Sequence, residues 1–264
     1  LFLIFQCNFA TGQQSTTVIL SPTGSDILGN GTLSNPYFSL QRAISSVSST
    51  VNLRILLLPG TYIASTTVVM KNIVGPVSIE PFSTSTGPVI ITNAQNTKIR
   101  FRMGHITNST LISVKGITFQ DAVFVGPRES ANDFYSGAGL AIFDSSKINI
   151  TDCTFKNMIS IIGGALYIKH SDSITIERTT FTNNQVYFSQ DLLVKLVNRF
   201  ISVDRSKLLM NSPSYTRSID RSGAIGGALA ISKSKLIYIR DCVFNENNAG
   251  AGGAIHLENT QGFI

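Results

Sequence analysis

Carboxylates, imidazoles and thiols are the side chains here that could do chemistry, and their spacing decides which chemistry. Asp121, Asp152, Glu177 and Asp241 all flank a recurrent Phe. Carboxylates aligned on neighbouring strands of one outer face could hold Ca²⁺ for a polysaccharide lyase, or split into the acid and base of a hydrolase. Counted from their Phe, these four sit at plus two, minus three, minus four and minus three, so only Asp152 and Asp241 align. No Asp-Asp pair occurs anywhere. His105, His170 and His256 fall at unrelated repeat positions and read as exposed polar residues. Cys7, Cys153 and Cys242 fit no zinc spacing. No catalytic residue, metal or cofactor is therefore assigned, and the enzyme question leans towards no.

What must position these residues is a repeat. Gly-Gly-Ala-Leu/Ile occurs at Gly163-Gly164-Ala165-Leu166, Gly226-Gly227-Ala228-Leu229 and Gly252-Gly253-Ala254-Ile255, with a worn copy at Gly137-Ala138-Gly139-Leu140. The final residues are spaced 26, 63 and 26 apart. A second signal runs through Phe119, Phe155, Phe181 and Phe244, with apolar residues seven and five positions before each: Ile112 and Val114, Ile148 and Ile150, Ile174 and Ile176, Ile237 and Ile239. Both signals give a 26-residue unit, with 10 extra residues after Phe119 and 37 after Phe181. A fixed period means one supersecondary unit stacked on itself. The unit contains short runs that alternate with period two and, after residue 100, no helix-length periodicity, which describes a parallel β-helix. Identical positions then stack ~4.8 Å apart, making ladders of Ile, Val, Cys and Phe. The glycines suit a turn that tolerates neither bulk nor ordinary φ values. They lack the GxxxxGK[ST] context of a phosphate loop.

The paired signals Gly-Gly-Ala-Ile/Leu and Phe-x-x-Asn resemble the repeats of chlamydial polymorphic outer membrane proteins, and of surface and secreted β-helix proteins in unicellular eukaryotes. Phe181 to Asn184 and Phe244 to Asn247 match the second motif; Phe155 to Met158 and Phe119 to Ala122 do not. The resemblance covers roughly residues 111–264. It implies an all-β, right-handed, single-stranded parallel β-helix (a solenoid) in which Asn184 and Asn247 are structural. Upstream, Leu53–Leu58 followed by Pro59-Gly60-Thr61-Tyr62 resembles the start of pectin-lyase-like β-helices. Residues 37–48, with Leu40, Ala43, Ile44 and Val47 at helical spacing, predict a short N-terminal capping helix. A cap is needed because the end of a solenoid exposes strand edges and apolar interior.

The chain of 264 residues supports one elongated domain, 15–264. Leu1 to Ala10 is apolar and too short to span a bilayer; residues 1–14 read as the remnant of a signal peptide. Phe263 falls at the minus-seven position of a further unit, so the solenoid is expected to continue, with a membrane anchor or cap beyond it. These features predict a secreted or cell-surface protein. Asn30, Asn108 and Asn149 head Asn-x-Thr sequons and are candidate N-glycosylation sites. Cys153 and Cys242 share a ladder position two rungs apart, ~9.6 Å, beyond disulfide reach.

The net charge is +6, and Lys195, Arg199, Arg205, Lys207, Arg217 and Arg221 gather in one span with Asp204 and Asp220. That could favour anionic glycans, although a solvated face is the plainer reading. No zinc finger or RNP-type motif is present, so nucleic acid is not an expected partner. Two insertions, near 123–136 and 186–224, leave the stack at the same edge, and long loops on rigid scaffolds carry binding function. The second could also hold a degenerate extra coil. The favoured function is non-enzymatic adhesion or recognition, with extracellular glycans or host and cell-surface proteins as partners. The alternative is a polysaccharide lyase or glycoside hydrolase of the pectin-lyase-like superfamily. It would use Asp121, Arg128, Glu129 and Asp133 beside the first insertion and Asp191, Lys195 and Arg199 in the second.

Overall fold

The structure, a computed structural model, describes residues 15–83, 86–93, 102–124, 136–186, 225–250 and 252–263. The chain enters through β1 (Ser15–Leu20) and reaches a one-and-a-half-turn helix, α1 (Leu40–Ser45). Ser39 caps that helix, its Oγ accepting from the Arg42 N–H at 3.1 Å, a contact worth ~1 kcal/mol. Ala43 and Ile44 are buried, while Leu40 and Val47 pack against the core from just outside. The helix is thus shorter than the 37–48 span its apolar spacing suggested.

Six coils follow, each of three main strands. The first is β2 (Asn52–Leu57), β3 (Gly60–Ala64) and β4 (Val68–Lys71); the second β5 (Val77–Pro81), β6 (Val89–Asn93) and β7 (Gly104–Thr107). The third is β8 (Thr110–Lys115), β9 (Ile117–Gln120) and β10 (Leu140–Phe143). The fourth is β11 (Ser146–Thr151), β12 (Thr154–Lys156), the short β13 (Ile159–Ser160) and β14 (Leu166–Lys169). The fifth is β15 (Asp172–Glu177), β16 (Thr180–Thr182), the short β17 (Gln185–Val186) and β18 (Leu229–Ser232). The sixth is β19 (Lys235–Arg240), β20 (Val243–Asn245) and β21 (Ile255–Glu258), and β22 (Gln261–Phe263) begins another turn.

Equivalent strands stack into three parallel sheets. The first holds β1, β2, β5, β8, β11, β15, β19 and β22; the second runs from β4 through β7, β10, β14 and β18 to β21; the third runs from β3 through β6, β9, β12 and β16 to β20. The fold is an all-β parallel β-helix. Its exposed N-terminal edge is managed by α1: the Gln41 side-chain carbonyl accepts from the Val69 N–H of edge strand β4 at 2.8 Å.

Register follows the sequence ladders. Ile112, Ile148, Ile174 and Ile237 stack, as do Val114, Ile150, Ile176 and Ile239, all buried. Phe119, Phe155, Phe181 and Phe244 form a parallel ring stack with centroids 4.9, 5.2 and 4.9 Å apart and planes within 8°. Each step adds roughly 0.5–1.5 kcal/mol to the area the rings bury. One expectation fails at the end of the stack. Ile237 pairs with Gly262 and Tyr238 with Phe263, because β19 has one more residue than β22 between Lys235 and the Ile237 position. Elsewhere in this sheet that extra residue is taken up in register by a left-handed residue: Leu111, Lys147, Ser173 or Leu236.

Candidate functional site: a corner between two excursions

The corners of each rung are built on left-handed backbone. Five positions per regular coil have φ between +42 and +65°, and each forms a ladder. The Gly ladder is Gly137, Gly163, Gly226 and Gly252, with φ of 59, 55, 65 and 60°. The second glycine is needed for a different reason. A Cβ on Gly164 would lie 2.0 Å from the Gly227 carbonyl oxygen, and one on Gly227 2.0 Å from that of Gly253. The alanines that follow, Ala165 and Ala228, are fully buried, and Ala254 is half-buried on the last rung.

At the next corner Asn184 is fully buried. Its Oδ1 accepts from the Met158 N–H at 3.1 Å, and its Nδ2 donates to the Phe155 carbonyl at 3.0 Å. Asn247 repeats this one rung on, towards Asn184 N and Phe181 O. Just outside lies a second polar ladder. Asn157 Nδ2 donates to Asp121 Oδ1, and Asn183 Nδ2 donates to Asn157 Oδ1, at 2.8 and 2.9 Å. A serine ladder completes the set: the N–H groups of Ser109, Ser145 and Ser171 donate to the hydroxyls of Ser145, Ser171 and Ser234. All four serines are buried. Sequence reading missed both ladders; the signal was a Ser recurring at the 36-, 26- and 63-residue steps.

The acidic residues weighed for catalysis are scattered, and three of the four are engaged by neighbours. Arg178 donates to Asp152 at 2.7 Å and to Glu177 at 3.2 Å, and Arg240 also bonds Glu177. The hydrogen bond from Arg178 holds the Asp152 carboxyl below its usual range. Asp121 is tied into the Asn ladder, and Asp241 lies at the exposed corner next to Cys242. Among the described residues no three His, Cys, Asp or Glu side chains gather as a metal site. Cys153 is buried, and burial pushes its thiol up to about 12; Cys242 is half-buried and also raised.

Only one of the histidines is as exposed as expected. His170, at a left-handed corner, places Nδ1 3.5 Å from Asp144 Oδ1. His105 and His256 in fact share one ladder on the outer face of the second sheet, reached through Ala141, Tyr167 and Ala230. His105 packs edge-on against Phe143 at 5.3 Å, and Phe143 against Tyr167 at 5.6 Å. Arg102 sits over Phe124 at 4.5 Å. Burial, then the charges of Arg102 and Lys71, lowers the His105 pKa, so its ring stays neutral at pH 7.

Both insertions start and finish against the same short segment. Val123 bridges Ile159, and Ser136 bridges Ile162 on the rung above. Gln185 and Val186 pair with Ile159 and Ser160, and Ile225 bridges Ile162 from the other side. Ile159 to Ile162, on a rung of regular length, is thus flanked on one side by the ends of the first insertion and on the other by those of the second. The second adds no rung: β14 pairs directly with β18, β15 with β19 and β16 with β20. Beside this corner a groove of about 240 Å³ lies over the second sheet, walled by Tyr167, Lys169, Lys233, His256 and Glu258. Arg128, Glu129, Asp133, Asp191, Lys195 and Arg199, and the 1–14 segment, lie outside the described residues.

Of the sequons, Asn149 is exposed on the first sheet, between buried Ile148 and Ile150. Asn108 is exposed and donates from Nδ2 to Asn72 Oδ1 at 2.8 Å, and the Asn30 carbonyl accepts from the Thr32 hydroxyl at 2.7 Å.

A family model described as "Right handed beta helix region" matches residues 88–264. Over 120 residues the chain is 28% identical to "Metabotropic glutamate receptor-like protein R" of Dictyostelium discoideum, spanning 45% of this chain and 7% of that protein. Among solved structures a "Rhamnogalacturonan lyase" superposes with a TM-score of 0.54 at 13% identity, over 95% of this chain and 63% of the lyase chain. At that identity the likeness speaks for the fold alone.

Proposed function

This chain belongs to the right-handed β-helix region family, and on that premise we propose that it is a secreted or cell-surface recognition module rather than an enzyme. Its partners are extracellular glycans or cell-surface proteins, met at the corner of Ile159–Ile162 and on the adjoining face of the second sheet. The observation that carries this reading is the convergence of both insertions on one corner of a scaffold whose neighbouring rungs need neither. The pairing of Asp152 and Glu177 with arginines supports it, since it leaves those two carboxylates engaged in the stack. The resemblance of the repeats to chlamydial polymorphic outer membrane proteins points the same way. Glycans on Asn30, Asn108 and Asn149, and a membrane anchor beyond the last rung, belong to the same reading.

The test presents the purified full chain to intact cells and to a glycan array, and in parallel to pectic polysaccharides in a cleavage assay. Saturable binding without new chain ends is the expected result; turnover of a polysaccharide would overturn it. One observation favours a second reading, a polysaccharide lyase: the groove of Lys169, Lys233, His256 and Glu258 beside Tyr167 places basic groups and one carboxylate together. Loss of any cleavage on Lys169→Ala or Lys233→Ala would favour it.

A further inference from the structure

The outer face of the first sheet carries a separate concavity of about 250 Å³, across β1, β2, β5 and β8. Its rim holds three hydroxyls, from Ser15, Ser78 and Ser113, and its apolar side is Pro76 and Leu111. Two features stand out. The Asn52 side-chain oxygen is buried in the wall without a hydrogen-bond partner. An unmet buried acceptor destabilises the fold until a donor reaches it. Leu111 is an aliphatic side chain left 38% exposed beside the groove, at the left-handed position it shares with Lys147, Ser173 and Leu236.

The groove is neutral. Its one cation, Arg54, is engaged by Glu80 through Nε–H···Oε1 at 2.7 Å. That argues against a uronate, sulfate or phosphate, for which an unopposed guanidinium would serve. An acceptor lacking a donor, several hydroxyls able to give or take, and an aliphatic wall together match the alternating O–H and C–H surface of a sugar. The volume falls below the ~300–1,000 Å³ of drug-sized sites, which limits the fit to about one ring.

We infer that this groove is a subsite for a neutral sugar ring of a glycan, one hydroxyl donating to Asn52 Oδ1 and the ring's C–H face resting on Leu111 and Pro76. It lies on a different sheet from the corner between the insertions and stands independently of that corner's role.

The test uses the full chain with cellotetraose, galactotetraose, mannotetraose and xylotetraose as neutral probes and tetragalacturonate as the charged one, read by saturation-transfer NMR and titration calorimetry. At least one neutral probe binds saturably, and tetragalacturonate binds at least tenfold more weakly. Asn52→Leu weakens binding at least tenfold while melting no lower than the wild type, since it removes an unmet acceptor. Ser113→Tyr, which fills the groove from outside, abolishes binding, and shortening the second insertion leaves it unchanged. The inference is overturned if no neutral probe saturates, if both variants bind like the wild type, or if Asn52→Leu melts lower, which would give Asn52 a structural partner instead.

Discussion

Gly164 and Gly227 face each other across one rung so closely that a methyl group on the first would sit 2.0 Å from the carbonyl oxygen of the second. No side-chain rotation relieves that contact, because both partners are backbone. Gly164→Ala is therefore expected to cost about 3 kcal/mol or more, at the severe end of single substitutions. Gly163→Ala should cost about as much, since it adds to a left-handed φ of 55° a Cβ 2.4 Å from the Leu166 carbonyl oxygen. Gly253 is the internal control: its nearest such neighbour is the Asn247 oxygen at 3.7 Å, so Gly253→Ala should stay within about 0.5 kcal/mol. Urea midpoints of the three variants check the order, and a Gly253→Ala as damaging as Gly164→Ala would contradict it.

Asn184 serves two backbone groups of the rung below and the Asn247 side chain of the rung above. Asn184→Leu keeps the number of side-chain heavy atoms and strands the Phe155 carbonyl and the Met158 N–H in the interior. At about 1–3 kcal/mol for each orphaned group, the loss should be roughly 3–5 kcal/mol. Asn247, half-buried nearer the end, should lose less on the same change. Calorimetric melting of both variants would show it, and equal losses would mean that burial does not set the cost.

Acid should loosen the outer charge ladder. The Asp152 pKa is lowered by the hydrogen bond from Arg178, so the pair stabilises the fold above the unfolded pKa and that contribution is lost as pH falls through the folded value, below about pH 4. Both partners are at the surface, so the effect is small and screened. In 10 mM salt the urea midpoint of the wild type should drop more steeply from pH 5 to 2.5 than that of Arg178→Gln. In 1 M NaCl the two curves should run parallel. Divergence that persists in high salt would point to a packing role for Arg178.

The parts of this fold legible in the sequence are those that every rung must repeat. Inward Ile and Phe positions recur because a solenoid interior has one environment per position, and the 10 and 37 extra residues showed as breaks in that rhythm. The serine ladder was hidden because a single Ser per rung does not stand out in a Ser-rich chain, although Ser145 and Ser171 are as buried as the isoleucines. Left-handed corners were legible only where Gly filled them. The same backbone at Asp144, His170, Lys233 and Arg178 is imposed by neighbouring rungs and not by those side chains. The outer face of the second sheet misled for a related reason. Tyr167 and Ala141 alternate outwards, as polar residues should, yet both are buried, so period two alone did not report solvent there. The groove at Asn52 draws on four strands up to 98 residues apart, Ser15 to Ser113, and no local motif announces it.

The most direct test of the whole account is to replace residues 187–224 with a single residue, the length that Ile161 supplies between Ser160 and Ile162 on the regular rung. Because β14 already pairs with β18 and β16 with β20, the stack should close unchanged. The account predicts a cooperative melt within a few degrees of the wild type, together with loss of binding to cells and glycans at the corner. A protein that fails to fold would make the second insertion part of the stack, and one that folds and still binds would place recognition elsewhere on the solenoid.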